Sequence, residues 1–510
     1  MAKSTKTHRV PEVRQASLLE VPESRSPHPV IETVRFDMGD RARLFVGTVA
    51  LDKYLEAEGL SWVLKLASLL GELDWKPFET AYKPGGRPPI HPRLMVGLIL
   101  YGMMLKQVSL RQLEALSKRD IGAWWMAGGL TPDFSTFTRF IQRHREVLSE
   151  DFFVKTTWLI VKRLKLGKGT VAIDGTVMQS AASTATALKK EALVEQLEAA
   201  RDGGDAAGVE RLEKAVEVVD ERAEARDAAG KTGGPIKASQ HEPDAVMQPK
   251  KNSRDNQLSY KPTVAAHSSG IIIGQALSPT SETECVPSVL AQHERIFGAQ
   301  PERLMADAGF HTLAVLDLCV QRDIDALIPG GRGSGERKTK KGHFPKSAFP
   351  WDEKAMRPRC PAGFLMTGGR STQRDRHGRE YREYRMRRCA QCPLRTQCTD
   401  GKSRVLKLYE GEELKVAMNE VMSHPAAKKL FRQRSAIVEP VFARMRNSGF
   451  NRFRRRGRAN ARLELSLNCV AHNLRLLLWG RAGVFVVFCF TRRPGEPWSL
   501  AAVGVAIHQR

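Results

Sequence analysis

Apolar residues recur at helical spacing from Val34 to about Phe153, and beyond that give way to short runs of strand length. In the helical part, Pro92 suits a first helical position ahead of the apolar run Leu94 to Leu105. Ser109 and Gln112 have the spacing of a capping box, in which each side chain satisfies the other's backbone N–H. Thr131-Pro132-Asp133 then predicts the start of a helix through Phe134, Phe137, Phe140 and Ile141, with Arg139, Arg143 and Arg145 on its basic face. Strands are expected over Thr170–Met178, Ser259–Ala266, Gly270–Leu277, Arg303–Ala306 and Ile324–Ile328, with Ser268-Ser269-Gly270 as a hairpin turn. Helices are expected over Cys285–Phe297 and Leu313–Gln321. This order predicts an α/β fold with a mixed sheet.

Changes of composition divide the chain. Residues 1–32 are polar and Pro-dotted, and predict a disordered tail. Residues 33–155 form a helical domain whose last, basic helix suits a helix-turn-helix-like DNA-binding unit. Within 187–230 lies an Ala/Glu-rich stretch with Val209, Leu212, Val216 and Val219 on one face. It predicts a helical hairpin hinged at Gly203-Gly204. From Ala187 to Ala228 it holds twelve acidic and seven basic residues, so it is not expected to touch DNA. Residues 330–400 read as irregular, basic and Cys-bearing, and Glu410 to about Leu478 as helical again. Residues 483–510 change character and suggest no role.

Charge narrows the class of partner. A formal charge of +25 and a pI near 9.9 call for a polyanion, DNA or RNA first. A membrane is the other use of such charge, but no apolar run approaches the ~20 residues of a spanning helix. The first residues lack the apolar core of a signal peptide, so a cytoplasmic, nucleoid-associated protein is expected.

Three acidic residues stand in settings that chemistry could use. Asp174 closes Val-Ala-Ile-Asp-Gly-Thr, Asp307 closes Leu-Met-Ala-Asp-Ala-Gly-Phe, and Glu439 sits in Ala-Ile-Val-Glu-Pro-Val-Phe. Carboxylates at strand ends beside a basic surface are what two-metal phosphoryl transfer on nucleic acid needs, Mg²⁺ or Mn²⁺ being hard cations that take oxygen ligands. An Asp that merely caps the next element gives the same pattern. Pro440 disfavours helix at Glu439, which is therefore expected at a helix start or kink. Between Arg444 and Arg462 there are eight arginines and no acid: Arg444, Arg446, Arg452, Arg454, Arg455, Arg456, Arg458 and Arg462. These are expected to bind phosphate, with Phe450 and Phe453 stacking on or wedging between bases. The run Lys338 to Lys341 is a weaker basic candidate. Sequence reading is expected from Ser135, Thr136 and Arg139 in the first turns of the basic helix. Cys360, Cys389, Cys392 and Cys398 have Cys-x28-Cys-x2-Cys-x5-Cys spacing, which fits a structural Zn²⁺. The scattered Cys285, Cys319, Cys469 and Cys489 read as core thiols.

Asp-Gly-Thr, Ala-Asp-Ala-Gly-Phe, Cys-x-x-Cys-Pro-Leu-Arg-x-x-Cys and Ile-Val-Glu-Pro-Val-Phe, in this order, resemble the DDE transposases of bacterial insertion sequences. The similarity runs over roughly residues 75 to 480, in the branch with a helical N-terminal domain and a cysteine-bearing insertion. It implies a ribonuclease-H-like catalytic core over 156–329 and 401–482, with 187–230 and 330–400 as insertions. It also implies a metal-binding triad of Asp174, Asp307 and Glu439, with two Mg²⁺ or Mn²⁺ ions. DNA, as terminal inverted repeats and target, would be the partner of a homodimer. Related transposases often carry Tyr-x-x-Arg-x-x-x-Glu-x-x-x-x-x-x-Lys around the glutamate. Here Phe431 replaces the Tyr, Arg434 precedes Glu439 by five residues and Arg446 takes the Lys place, so Arg434 and Arg446 are expected to contact DNA. A nuclease of the same fold and a non-enzymatic DNA-binding descendant are the alternatives.

Overall fold

In a computed structural model of the chain, the described residues are 33–228, 234–249, 255–331, 343–375, 380–409 and 411–479, with the backbone of Val487–Thr491 and Ser499–Val503. The expected tail over 1–32 and the lysine run at 338–341 lie outside them, as do the side chain of Cys489 and most of 483–510. None of the described helices is long and apolar enough to cross a membrane.

The N-terminal helices pack around α1 (Pro92–Met104), which is buried on almost every side. His91 caps it by accepting from Arg93 N–H at 3.0 Å. The capping box forms at the start of α2 (Leu110–Arg119), with both Ser109 and Gln112 bonds present. Asp133 caps α3 (Phe134–Arg143), which buries Phe137, Phe140 and Ile141 and turns its charged face outward. Helix α4 (Phe152–Leu164) then leads into the sheet.

The central sheet begins with β1 (Thr170–Gly175) and the short β2 (Met178–Gln179). Between them and the rest of the sheet the chain makes two paired helices, α5 (Lys190–Asp202) and α6 (Ala206–Ala228), with a separate small core around Leu193, Leu212, Ala215 and Val219. There follow β3 (Val246–Pro249), the long β4 (Asn256–His267), β5 (Ile272–Ser278), α7 (Val286–Phe297), β6 (Arg303–Met305), α8 (Leu313–Gln321) and β7 (Asp325–Leu327). Across the sheet the order is β5-β4-β1-β6-β7. β4 is antiparallel to both β5 and β1, and β6 is parallel to both β1 and β7. This mixed sheet, with helices on the crossovers, fits the ribonuclease-H-like DDE core that the resemblance implies.

β5 is an edge strand, and its outward peptide groups are met by side-chain amides. Gln292 of α7 accepts from Gln275 N–H at 2.9 Å and donates to Gln275 O at 2.8 Å. Asn473, on the last long helix, does the same for Ile272 at 2.8 and 2.7 Å. A buried open edge would leave these groups unpaired, so the two amides replace a missing strand.

Within residues 330–400, expected to be irregular, lie β8 (Thr367–Arg374) and β9 (Glu380–Met386), which form an antiparallel sheet with β10 (Arg404–Tyr409) just beyond. Tyr381, Tyr384 and Met386 are buried along β9, while the residues between them face out or lie half-buried. The buried positions are three and then two residues apart with arginines between them, so no clean alternation marks the strand in the sequence. The chain closes over the main sheet with α9 (Gln433–Asn447) and α10 (Arg458–Leu478). Pro440 lies inside α9, so Glu439 is in the interior of the helix and not at its start. A proline costs the helix one N–H and crowds the preceding turn; burial of Ile437, Val438, Val441 and Phe442 on either side holds the helix through it.

His472 of α10 is buried and its Nε2 donates to Gly270 O at 3.0 Å, fastening the helix to the β4–β5 turn. Burial pushes its pKa down to about 4 from the usual 6.5. The unfolded chain therefore takes up the proton first, so this contribution to stability is complete above pH 6.5 and is lost as pH falls towards about 4. We expect His472→Gln to remove part of the acid-induced fall in thermal stability across that window. An unchanged profile on melting would show that His472 does not drive it.

Candidate active site

Asp174 is the fifth residue of β1 and stands where that strand leaves the buried Val171-Ala172-Ile173 run. In the parallel pairing of β6 with β1, Met305 lies opposite Ala172. Extending that register by two residues brings Asp307 level with Asp174. Asp307 also caps the turn that follows, accepting from Gly309 N–H at 2.8 Å. The capping and functional readings of this residue are thus compatible.

Helix α9 crosses this end of β1. Arg434 is buried, and its Nη2 lies 2.9 Å from Asp174 Oδ1 and donates to Ile173 O at 3.1 Å. Its Nε is buried without a hydrogen-bond partner. On the same helix Arg446 donates to Thr176 Oγ1 at 2.8 Å. The two arginines are twelve residues apart, about 18 Å along a helix axis, yet they reach positions two residues apart on the strand. The middle of α9, where Glu439 sits, therefore crosses over Asp174 to Thr176. Glu439 itself is exposed, on the flank shared by Arg446 seven residues on.

Arg434 was expected to contact DNA; instead it is the internal partner of Asp174. Burial raises the proton affinity of Asp174, Arg434 lowers it, and the neighbouring charge of Asp307 raises it again. A third carboxylate enters this field, one that the motifs did not reveal. Glu282, in the loop between β5 and α7, packs over Gly175: a Cβ on that glycine would lie 2.4 Å from the carboxyl carbon. Burial pushes its pKa up; Lys261 opposes this, and Asp307 and Asp174 add to it. Among the described residues no three His, Cys, Asp or Glu side chains are arranged so that they could hold a metal ion. What the fold supplies is a pair of aspartates in register, a third carboxylate beside them and an arginine already bound to one of them.

The arginine-rich segment divides into inward and outward parts. Arg452 donates to Ser180 O and Ala181 O at 3.3 and 3.0 Å, and Phe453 N–H donates to Gln179 O at 2.9 Å. The buried Glu464 accepts from Arg454 N–H at 2.9 Å and pairs with the Arg455 guanidinium at 3.3 Å. The buried Glu242 accepts from Gly457 N–H, Ala182 N–H and Tyr260 O–H at 3.0, 2.8 and 3.1 Å. The side chains of Arg454, Arg456, Arg458 and Arg462 remain exposed. Arg458 and Arg462 line a cavity of about 180 Å³ with Ser288 and Ser466, beside the loop that carries Glu282. Phe450 and Phe453, expected to meet bases, are instead core residues at 4% and 0% exposure, packed edge to face on each other and, for Phe453, on Tyr260. Nothing in a lone Phe between arginines distinguishes a wedge from an anchor.

On α3, Ser135, Thr136 and Arg139 sit in the first turns. Asp133 accepts from Ser135 Oγ at 2.9 Å and Thr136 N–H at 2.7 Å, and its carboxyl is held down to about 2 by these bonds, that to the Thr136 N–H first. Phe134 is 45% exposed with the Arg111 guanidinium 5.5 Å from its ring centre, which gives this face a mixed basic and aromatic surface. Cys360 joins the clustered Cys389, Cys392 and Cys398 at one small cavity, which Arg404 also lines. Arg404 N–H donates to Cys389 Sγ at 3.4 Å, and burial raises the pKa of Cys398.

Residues 359–478 match the family of the Transposase DDE domain, and residues 61–143 match the Transposase domain (DUF772). The first match takes in Glu439 and the four cysteines and begins after Asp174 and Asp307. The class these define is that of metal-dependent, DNA-cleaving DDE enzymes. The resemblance read from the motifs is thereby shown, and the chain is related to DDE transposases of the insertion-sequence type. No curated protein matches it.

Proposed function

We propose that the chain binds the terminal inverted repeats of its element and catalyses divalent-cation-dependent DNA cleavage and strand transfer, with Asp174, Asp307 and Glu439 as the reacting centre's carboxylates. The observation that carries this reading is the parallel register that brings Asp307, two residues past the end of β6, level with Asp174 on β1 beneath the middle of α9. The donors are all carboxylate oxygens, the set that Mg²⁺ and Mn²⁺ prefer. Bound there, such ions supply positive charge to the phosphate and lower the pKa of the attacking water or hydroxyl.

The protein's own groups prepare that site. Arg434 opposes the protonation that burial would otherwise favour at Asp174. Arg446, held at Thr176 beside the aspartates, would meet a DNA phosphate. Exposed Arg454, Arg456 and Arg458 continue the basic surface, while Arg452 and Arg455 serve mainly to hold the loop. Backbone contacts of this kind position DNA, and sequence is read elsewhere, at Ser135, Thr136 and Arg139 of α3. The four cysteines line one cavity but, among the described residues, do not stand as a metal-holding group in this arrangement; drawn together, they would hold a structural Zn²⁺ that ties β9 to the loops around it. Such an enzyme would act as a homodimer on DNA in the nucleoid.

Asp174→Ala, Asp307→Ala and Glu439→Ala are each expected to abolish cleavage of terminal-repeat DNA while leaving its binding nearly intact, and a chelator should do the same to the wild type. Full cleavage by any one variant removes that residue from the triad.

Changing Arg454, Arg456 and Arg458 together to Gln should reduce the slope of log affinity against log salt, on terminal-repeat and random DNA alike. The reduction should be roughly one unit for each phosphate that is no longer neutralised. Loss of discrimination between the two DNAs at an unchanged slope would mean that the two surfaces have been assigned the wrong way round.

The purified protein should also contain about one zinc per chain. Cys392→Ser should lower that content and loosen residues 343–409 to proteolysis. Zinc-free protein from an anaerobic preparation would rule the site out.

A further inference from the structure

We propose that the cavity of about 180 Å³ at the end of β5 is a nucleotide subsite, which takes one unpaired nucleotide from a cleaved DNA end held at the aspartates. The inference rests on the reading of the chain as a DNA-cleaving enzyme, and gives a ligand to a cavity which that reading leaves unused.

Placement comes first. Asp174 pairs with Val264 across β1 and β4, and Val264 with Gln275 across β4 and β5. Gln275 is therefore level with Asp174 and two strands away, about 10 Å. The loop from β5 to α7 divides the two places. Its Glu282 lies on Gly175 beside the aspartates, while its Glu284 and Cys285 line the cavity. A strand held at the aspartates thus passes within a few nucleotides of the opening.

The lining comes second. Gln275 is 5% exposed; its Nε2 donates to Ser466 Oγ at 2.7 Å, and its Oε1 accepts no hydrogen bond among the described residues. Ser466 is wholly buried, and its hydroxyl, having accepted that bond, keeps a proton to give. A buried amide oxygen without a donor is costly unless the contents of the cavity supply one. An acceptor beside a donor matches the mixed groups on the edge of a nucleobase. Arg458 and Arg462, one turn apart on α10, are exposed at the same cavity and make no ion pair or hydrogen bond among the described residues. Two acids share the lining, but Glu150 is engaged by Arg295 and Glu284 by the Ser278 hydroxyl, each at 2.9 Å. The uncompensated charge is positive, which suits the phosphate of the same nucleotide.

Size comes third. A cavity of ~150 Å³ holds a benzene ring, so this one admits a single pyrimidine-sized ring. Water is the competing occupant of a polar cavity.

The test measures the affinity of the full chain, in chelator, for terminal-repeat duplexes that end at the cleavage point, with one abasic position walked along the strands near that end. Wild type, Gln275→Leu and Arg462→Gln are compared, with melting temperatures recorded. Gln275→Leu is expected to weaken binding to the intact duplex about fivefold, and to match the wild type on the one duplex whose missing base is the one the cavity takes. Arg462→Gln should weaken binding on every duplex, since an abasic position keeps its phosphate. Should Gln275→Leu lower the melting temperature, Ser466→Ala, which removes only the hydroxyl, makes the same comparison. Affinity unchanged by these variants on the intact duplex would leave the cavity to water and overturn the inference, with DNA binding still standing. A loss that no abasic position removes would make Gln275 a packing residue, and overturn it equally. Deoxycytidine monophosphate bound by the DNA-free wild type and not by Gln275→Leu would assign the cavity to a free nucleotide instead. A wild type without affinity for terminal-repeat DNA would overturn the functional reading itself.

Discussion

The contact on which the site depends is the buried pair that Asp174 makes with Arg434, whose guanidinium also reaches Ile173 O, 261 residues away in the chain. Removing one partner of such a pair leaves a charge unpaired in a poor solvent, at a cost of about 3–5 kcal/mol. The pair therefore fixes α9 over the end of β1 and with it the position of Glu439. It also sets a condition on chemistry. One oxygen of Asp174 is already engaged by a cation that belongs to the protein, so any ion that binds there must compete with Arg434 or share the carboxylate with it. The orphaned Nε of Arg434 shows that the guanidinium is not fully satisfied where it stands.

The same logic of borrowed partners runs through the fold. β5 would be a buried open edge, and the side-chain amides of Gln292 and Asn473 complete it from two helices that are far apart in sequence. Through Asn473, and through His472 on Gly270, α10 becomes part of the sheet. The same helix reaches the other way, where Arg475 donates to the carbonyls of Met103 and Met104 at the end of α1. The N-terminal helices around α1 and the sheet whose β1 carries Asp174 are thus joined by one element.

Much of this was legible in the residues, and the failures share a cause. Caps and turns were readable because Ser109, Asp133 and Gly270 act through local backbone geometry that a few neighbouring residues determine. The strands and their order were readable because β-branched and small apolar runs alternate with helical ones. Asp174 and Asp307 stood out because each ends such a run. What misled was residue type taken without depth. Phe450 and Phe453 among arginines, Arg434 near the glutamate and the tyrosines of β9 were all assigned by charge or by neighbours, and burial reassigned them. Glu282 gave no signal at all, since its meaning lies in a contact with Gly175, a residue 107 positions away.

The arginine-rich segment shows how a basic surface can be built on a folded loop at all. Eight arginines within nineteen residues repel one another, and a chain of that kind left to itself would extend into solvent. Here two buried acids oppose that tendency from below. Glu464 takes the Arg454 backbone and the Arg455 side chain; Glu242 takes the Gly457 backbone while also binding Tyr260 and Ala182. Phe453, wholly buried against Tyr260, adds the apolar anchor. Because the acids bond chiefly to backbone, they hold the loop without consuming the outward guanidinium groups. The positive field that would attract DNA and the negative charge that keeps its carrier folded thus lie on opposite sides of one segment. The acids that make the basic face possible are the ones that solvent does not see.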